Sequence, residues 1–233
     1  MSERALSGAE VRPRPPGLRP SRAAIEGEFV RLEPLEPDEH AGDLYASGHA
    51  GEQSLRLWRY LPYGPFRGRE PFLAWLGGCA TSLDPLFFAV CERRSGRAAG
   101  MASLLNIRPV DGVLEIGHVW FAPRLQRTRA STEATFLLLR ESFETLGCRR
   151  VEWKCDALNE PSRNAALRLG FRFEGIFYRH LIVKTRNRDT AWFSMLSDEW
   201  PGRRAVFERW LAPENFDAEG RQRAALRDFA ARS

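Results

Sequence analysis

From Phe29 to Leu35, apolar Val and Leu alternate with Arg and Glu. This is the period-two signature of a half-buried strand, and Pro34 and Pro37 close it. Asp38 is placed to cap a helix running to about Ser47. Within Glu70 to Ser82, Phe72, Leu73, Trp75 and Leu76 recur at helical spacing, with Pro71 in the first turn and Pro85 ending the pattern. Leu86 to Cys91 is an unbroken apolar run and predicts a buried strand. A Ser95-Gly96 turn leads into a strand from Ala98 to Ile107. Asp111-Gly112 predicts a hairpin turn into a further strand, Val113 to Phe121.

The most regular helix spans Ser131 to Leu146. Phe136, Leu139, Phe143 and Leu146 form one stripe, and Gly147 is placed to end it. Arg150 to Asp156 reads as a strand. Asn159 caps the next helix, Pro161 sits in its first turn and Gly170 ends it. Phe171 to Tyr178 and Thr190 to Leu196 read as an antiparallel pair. Val206, Phe207, Trp210 and Leu211 then mark an amphipathic helix. Helices fall between strands only in the second half, which predicts a mixed α/β domain built around one sheet.

Composition changes this picture at one end only. Residues 1–24 hold five arginines against two glutamates, together with a Pro/Arg/Gly run, so three of the chain's five excess positive charges sit there. That segment has little to bury and is expected to be disordered. The rest of the chain is nearly neutral, which argues against nucleic acid as a partner. No run approaches the roughly 20 apolar residues of a membrane span, and the N-terminus has no apolar signal core. Cys79, Cys91, Cys148 and Cys155 lack CxxC spacing, which points to reduced, buried thiols and no metal site, as in a cytoplasmic protein.

The chemistry concentrates after Phe121. A strand passes through Pro123 into Gln126-Arg127-Thr128-Arg129-Ala130-Ser131 and then a long helix, a junction that offers free N–H groups and the positive end of a dipole to a phosphate. Arg124, Arg127 and Arg129 add cations there. Alone, this junction reads equally well as a capped helix with a basic collar. It is followed by Thr132-Glu133-Ala134 and, after the next strand, by Asn159-Glu160-Pro161-Ser162, a short helix, Leu169-Gly170-Phe171 and Glu174-Gly175. With Glu115-Ile116-Gly117-His118 ahead of the loop and Arg186 to Ser194 behind, this set resembles the GNAT acetyltransferases, in the branch of the ribosomal-protein N-terminal acetyltransferases. The loop departs from that branch, because Arg127 and Arg129 stand where it carries glycines. The expectation is that these arginines turn outward and grip phosphate; the alternative is a loop too crowded to bind CoA.

The resemblance implies the acyl-CoA N-acyltransferase fold, a central, mostly antiparallel sheet whose fourth and fifth strands splay, with helices on both faces. It implies acetyl-CoA as co-substrate and an amine as acceptor, either a protein N-terminus or a small molecule. Trp120, Phe121 and Ala122 would hold the pantetheine arm. Gln126, Arg127, Thr128, Arg129, Ala130, Ser131 and Thr132 would hold the pyrophosphate, and Asn159 would hydrogen-bond the pantetheine or order the fifth-strand loop. Ser162 would protonate the departing thiolate, or else merely satisfy its own helix. Glu152, and after it Glu115, are the candidate bases for the amine proton. His118 reads as a packed histidine, and His40, His49 and His180 as surface residues. Trp58, Tyr60, Tyr63 and Phe66 form an aromatic loop that reads equally as an acceptor-pocket wall or as a plug over the core.

The expected organisation is a tail over 1–26, an acetyltransferase domain over 27–198 and a helical extension over 199–233. Similar proteins commonly dimerise, so a homodimer is expected; the Val206/Trp210 stripe would serve it or pack on the sheet. The competing reading is a non-catalytic acyl-CoA-binding or interaction module with the same fold.

Overall fold

A computed structural model of the 233-residue chain describes residues 17–230. In chain order the strands are β1 (Ile25–Glu26), β2 (Val30–Pro34), β3 (Leu86–Glu92), β4 (Ala98–Arg108), β5 (Val113–Phe121), β6 (Arg150–Asp156), β7 (Arg172–Val183) and β8 (Arg186–Leu196). The helices are α1 (Pro37–His49), α2 (Glu52–Leu55), α3 (Arg69–Thr81), α4 (Arg129–Arg140), α5 (Glu160–Leu169), α6 (Trp200–Leu211) and α7 (Leu226–Ala230). The eight strands form one sheet in the order β1-β2-β3-β4-β5-β6-β8-β7. Every neighbouring pair is antiparallel except β5 and β6. That parallel pair needs a crossover, and α4 supplies it.

Two apolar layers cover the sheet. One holds α4, α5 and α6, with Phe136, Leu139, Trp153, Phe193, Phe207 and Trp210 buried together. The other holds α1 and α3 around a fully buried Trp58, with Leu44, Phe72, Leu76 and Trp120. Burying each such side chain contributes roughly 1.5–3 kcal/mol.

Most sequence expectations hold to within a residue or two, and the differences have local causes. α4 begins at Arg129, ahead of the expected Ser131, because Thr128 is the cap. Its hydroxyl accepts the Ser131 N–H while the Ser131 hydroxyl accepts the Thr128 N–H, both at 3.2 Å. The helix ends in a π-helical turn over Glu141–Thr145. Asn159 caps α5 by accepting the Ser162 N–H at 3.2 Å, and Gly170 closes it at φ 96°, a left-handed conformation that suits glycine. The final hairpin is several residues longer than its apolar run, because its tip is polar and left-handed at Lys184 and Thr185.

The ends of the domain are less separate than expected. Residues 1–16, most of the expected tail, lie outside the described residues. From Gly17 onward the chain is docked. Gly17 and Leu18 donate to the carbonyls of Pro109 and Leu146, Arg22 donates to the Ala80 carbonyl, and β1 pairs with β2. At the other end, Trp200, Val206, Phe207 and Trp210 are all at most 5% exposed within the sheet's own core, so this stripe packs inward. Among the described residues no helix is long and apolar enough to cross a membrane. All four cysteines are buried.

Candidate active site

The parallel ladder between β5 and β6 runs from Val113↔Arg150 to Ile116↔Trp153 and stops. Beyond it β5 keeps β4 on one side and has no strand on the other. A bulge marks the spot: Met101 and Ser103 pair with Trp120 and Gly117, so His118 and Val119 oppose the single residue Ala102. His118 takes φ 51° there. A bulge of this kind bends its strand and re-aims a side chain, and here the strand parts from its neighbour. The result is a cleft of about 900 Å³. Its lining includes Glu115, Gly117, His118 and Val119 of β5 and Glu152 to Asp156 of β6. Asn159 and Ser162, the loop around Tyr60 and Leu61, and the hairpin residues Leu181, Arg188 and Trp192 complete it.

Glu115 and Glu152 lie side by side across the parallel register, both buried. Lys154 sits between them, 3.0 Å from Glu115 Oε2 and 2.9 Å from Glu152 Oε2, and its amine lies 3.8 Å from the centre of the Trp192 ring. Glu152 Oε1 also accepts from Arg150 at 2.9 Å and from Arg108 at 3.3 Å. Burial pushes the Glu152 carboxyl up, but hydrogen bonds and charge from Lys154 and Arg150 outweigh it, and its pKa falls below the ordinary value. Glu115 moves the other way. Burial raises it more than Lys154 and the 2.7 Å bond from Asn106 lower it. Both partners bind its Oε2; Oε1 has no hydrogen bond among the described residues and lies beside the open α-carbon of Gly117. The carboxylate expected first, Glu152, is therefore held on both oxygens, and the one expected second keeps an oxygen for the cleft.

His118 is not simply packed away. Its Nδ1 is 2.9 Å from the Tyr63 hydroxyl and its ring stacks on Tyr63 while lining the cleft. Burial, helped by the charge of Arg188, lowers its pKa to about 4, so the imidazole is neutral at physiological pH. The other histidines depart partly from expectation. His40 is buried, His49 stacks on Tyr45, and His180 is exposed but stands on the cleft wall, 3.0 Å from the Thr190 hydroxyl. The aromatic loop divides its work. Trp58 plugs the core and donates to the Gly48 carbonyl at 2.8 Å, while Tyr60 faces the cleft and donates to the Leu158 carbonyl at 2.9 Å.

The loop before α4 departs from the arginine-grip expectation. Arg129 turns away. Its guanidinium lies 4.0 Å from the Phe29 ring centre and 4.5 Å from that of Phe216, and it donates to the Leu211 carbonyl. Arg124 is held by Glu92 and the Ser47 hydroxyl. Ser131 and Thr132 are buried with their hydroxyls on the Thr128 carbonyl, so neither presents a side chain to a ligand. The Thr128 hydroxyl donates to the Leu125 carbonyl. Gln126 reaches back to the Phe121 carbonyl at 3.0 Å. Trp120 and Ala122 are buried too, which leaves only backbone for a ligand along that stretch. Arg127 behaves differently. It is exposed, and its φ of 59° is the left-handed conformation a glycine would take. The N–H groups of Arg127, Arg129 and Ala130 have no hydrogen bond among the described residues. The backbone thus presents three unpartnered N–H groups at the start of α4 despite the missing glycines.

On the α5 side, Trp153 Nε1 donates to Ser162 Oγ at 3.0 Å. Glu133, from the Thr-Glu-Ala stretch, is structural, because it accepts the N–H groups of Glu28, Phe29 and Val30.

Beside this parting parallel pair and its cleft, a model of the acetyltransferase (GNAT) domain matches residues 30–172. The chain belongs to the GNAT acetyltransferase family. It is 46% identical to a GCN5-related N-acetyltransferase from Brucella melitensis, covering 93% of this chain and 97% of that one at a TM-score of 0.90. A GNAT-family acetyltransferase structure from Chromobacterium violaceum is 41% identical, covering 86% and 100% at a TM-score of 0.78. YdaF of Bacillus subtilis (strain 168), provisionally named a ribosomal N-acetyltransferase, is 35% identical over 107 residues. That match spans 46% of this chain and 58% of YdaF.

One further cluster has metal-ligand residue types. Glu33, His40 and Cys91 bring their donor atoms within 4.8 Å of one another. His40 Nδ1 accepts the Glu36 N–H at 3.0 Å, so in the neutral ring Nε2 carries the proton toward Glu33 at 3.1 Å. That leaves the ring no lone pair for a cation, and the cluster is a buried hydrogen-bond relay.

Proposed function

We propose that this acetyltransferase moves an acetyl group from acetyl-CoA to a primary amine by direct attack, acting on a protein N-terminus or a small amine in the cytoplasm. The observation carrying this reading is the opening past Ile116↔Trp153 with Glu115 Oε1 beside it. Acetyl-CoA supplies an activated acetyl thioester. The N–H groups of Arg127, Arg129 and Ala130 would take the pyrophosphate, with the Arg127 side chain as the accompanying cation. The unpaired edge of β5 would hydrogen-bond the pantetheine arm, and Asn159 would flank it. Glu115 accepts the amine proton, directly or through water, since a raised pKa brings a carboxylate closer to the task. Glu152 holds Lys154 in place. The Ser162 hydroxyl, polarised by Trp153, delivers a proton to the departing sulfur.

The name of YdaF makes the N-terminal peptides of ribosomal proteins the first acceptors to try. The test joins calorimetric titration with acetyl-CoA to release of free CoA thiol across an amine panel. Glu115→Gln is expected to lower kcat by about a hundredfold while acetyl-CoA affinity is retained. No binding at millimolar acetyl-CoA would overturn the enzyme reading and favour a non-catalytic interaction module.

A further inference from the structure

Beyond Asp156, where β6 ends, β8 continues alone with β7 over the mouth of the cleft. Arg188, Thr190 and Trp192 alternate along β8 and all line the cleft. The other cations there are neutralised: Lys154 by Glu115 and Glu152, and Arg108 by Glu152. Arg188 has no ion pair and no side-chain hydrogen bond among the described residues, and its Nε is fully buried. Trp192 Nε1, four residues further along the same face, is likewise buried without a partner among the described residues. Two orphaned donors on one cleft wall are costly to an empty site, because a buried donor without an acceptor forfeits its hydration. An oxyanion meeting the Arg188 guanidinium offsets that cost, and the planar guanidinium matches a carboxylate or phosphoryl group in shape.

We infer that Arg188 forms a subsite for an anionic group carried by the acceptor, so that the preferred amine bears a carboxylate or phosphoryl group. This rests on the amine-acetylation reading above. The neighbourhood suits such an acceptor at both ends. Under that reading Glu115 on β5 receives the ammonium's proton, and the guanidinium of Arg188 lines the same cleft from β8. A neutral amine would leave Arg188 unpaired, and binding it would bury that charge further.

The test compares matched amines on the full-length chain: 4-aminobutyrate against 4-aminobutyramide, and ethanolamine phosphate against ethanolamine. In the wild type, kcat/KM for the anionic member is expected to exceed that for its neutral partner by about tenfold or more. The first pair reads a carboxylate and the second a phosphoryl group. In Arg188→Gln the ratio should fall toward one, and Arg188→Lys should recover part of it through charge without the planar fork. A wild-type ratio near one in both pairs, or a ratio untouched by Arg188→Gln in a variant that melts like the wild type, overturns the subsite. Calorimetric titration of the same four amines in the absence of acetyl-CoA separates the two proposals. If no amine is acetylated yet the anionic ones bind preferentially through Arg188, the enzyme reading fails and the subsite stands. If acetylation proceeds with no preference, the reverse holds.

Discussion

The amine of Lys154 lies 3.0 Å from Glu115 Oε2, and that contact sets the charge state of the cleft floor. Without Lys154, two buried carboxylates would face each other across a parallel register with only Asn106 and the arginines beyond Glu152 to support them.

Lys154→Met therefore acts on both activity and stability. Lys154 lowers the Glu115 pKa, so its removal raises an already elevated value. Glu115 then becomes an anion only at higher pH, and the acidic limb of the kcat/KM profile moves upward in pH. Leaving the buried carboxylates without their cation costs about 3–5 kcal/mol, read as a lower urea midpoint. Lys154→Met with an unmoved acidic limb would remove Glu115 from the base role.

Glu174 governs a different pH window. Hydrogen bonds from Arg150, at 2.7 and 2.5 Å, and one from Ser194 hold its carboxyl at about 2, below the ordinary 4.5. A folded-state pKa depressed in this way stabilises the fold above the unfolded value, and the benefit is lost as pH falls through the folded one. Thermal unfolding should show Tm declining between about pH 4.5 and about 2, and Glu174→Gln should flatten that decline. An identical slope in wild type and variant would contradict the assignment.

The two arginines that replace glycines in the phosphate loop should separate cleanly. Arg129 is wedged between Phe29 and Phe216, so Arg129→Ala lowers stability by about 1–2 kcal/mol through lost ring contacts. Arg127 is exposed at φ 59°, so Arg127→Gly relieves left-handed strain of about 1 kcal/mol and raises Tm. It also weakens acetyl-CoA binding by removing the cation beside the unpartnered N–H groups. Calorimetry beside thermal unfolding checks both. Weaker acetyl-CoA binding with unchanged Tm in Arg129→Ala would return Arg129 to the phosphate site.

These arginines also mark where sequence stops being legible. β5 and β6 were readable with their true ends, and the α5 caps Asn159 and Gly170 with their partners, because alternation, helix periodicity and cap chemistry act over a few residues. Arg129 was not, since its destination is assembled from Phe29, Leu211 and Phe216, up to 100 residues away in the chain. The proposed order of the two glutamates differs from the expected one for a similar reason. Which carboxylate is held on both oxygens depends on the β5–β6 register and on Arg108 from a third strand. One signal was available. Glu152 and Lys154 stand two apart on a strand and must share a face, so a cation beside the supposed base could have been anticipated. The left-handed backbone at Arg127 had one signal too, since Arg127 stands where the resembling branch carries a glycine, although it is the surrounding fold that compels an arginine into that conformation.

The cleft's roof gives the last prediction. Lys184, at the tip of the β7–β8 hairpin, donates to the Trp58 carbonyl at 2.6 Å, tying the hairpin to the aromatic loop. Tyr60 makes the second tie, to Leu158. In the proposed arrangement both ties border the acceptor's part of the cleft, so loosening them should alter how the acceptor is held more than how acetyl-CoA is held. Lys184→Met removes the donor and keeps much of the side chain's bulk. It is expected to raise the acceptor KM by about fivefold, the equivalent of one net hydrogen bond of about 1 kcal/mol. The acetyl-CoA dissociation constant measured by calorimetry should stay within about twofold of wild type. If acetyl-CoA affinity instead falls in step with acceptor KM, the hairpin supports the whole cleft and does not act on the acceptor side alone.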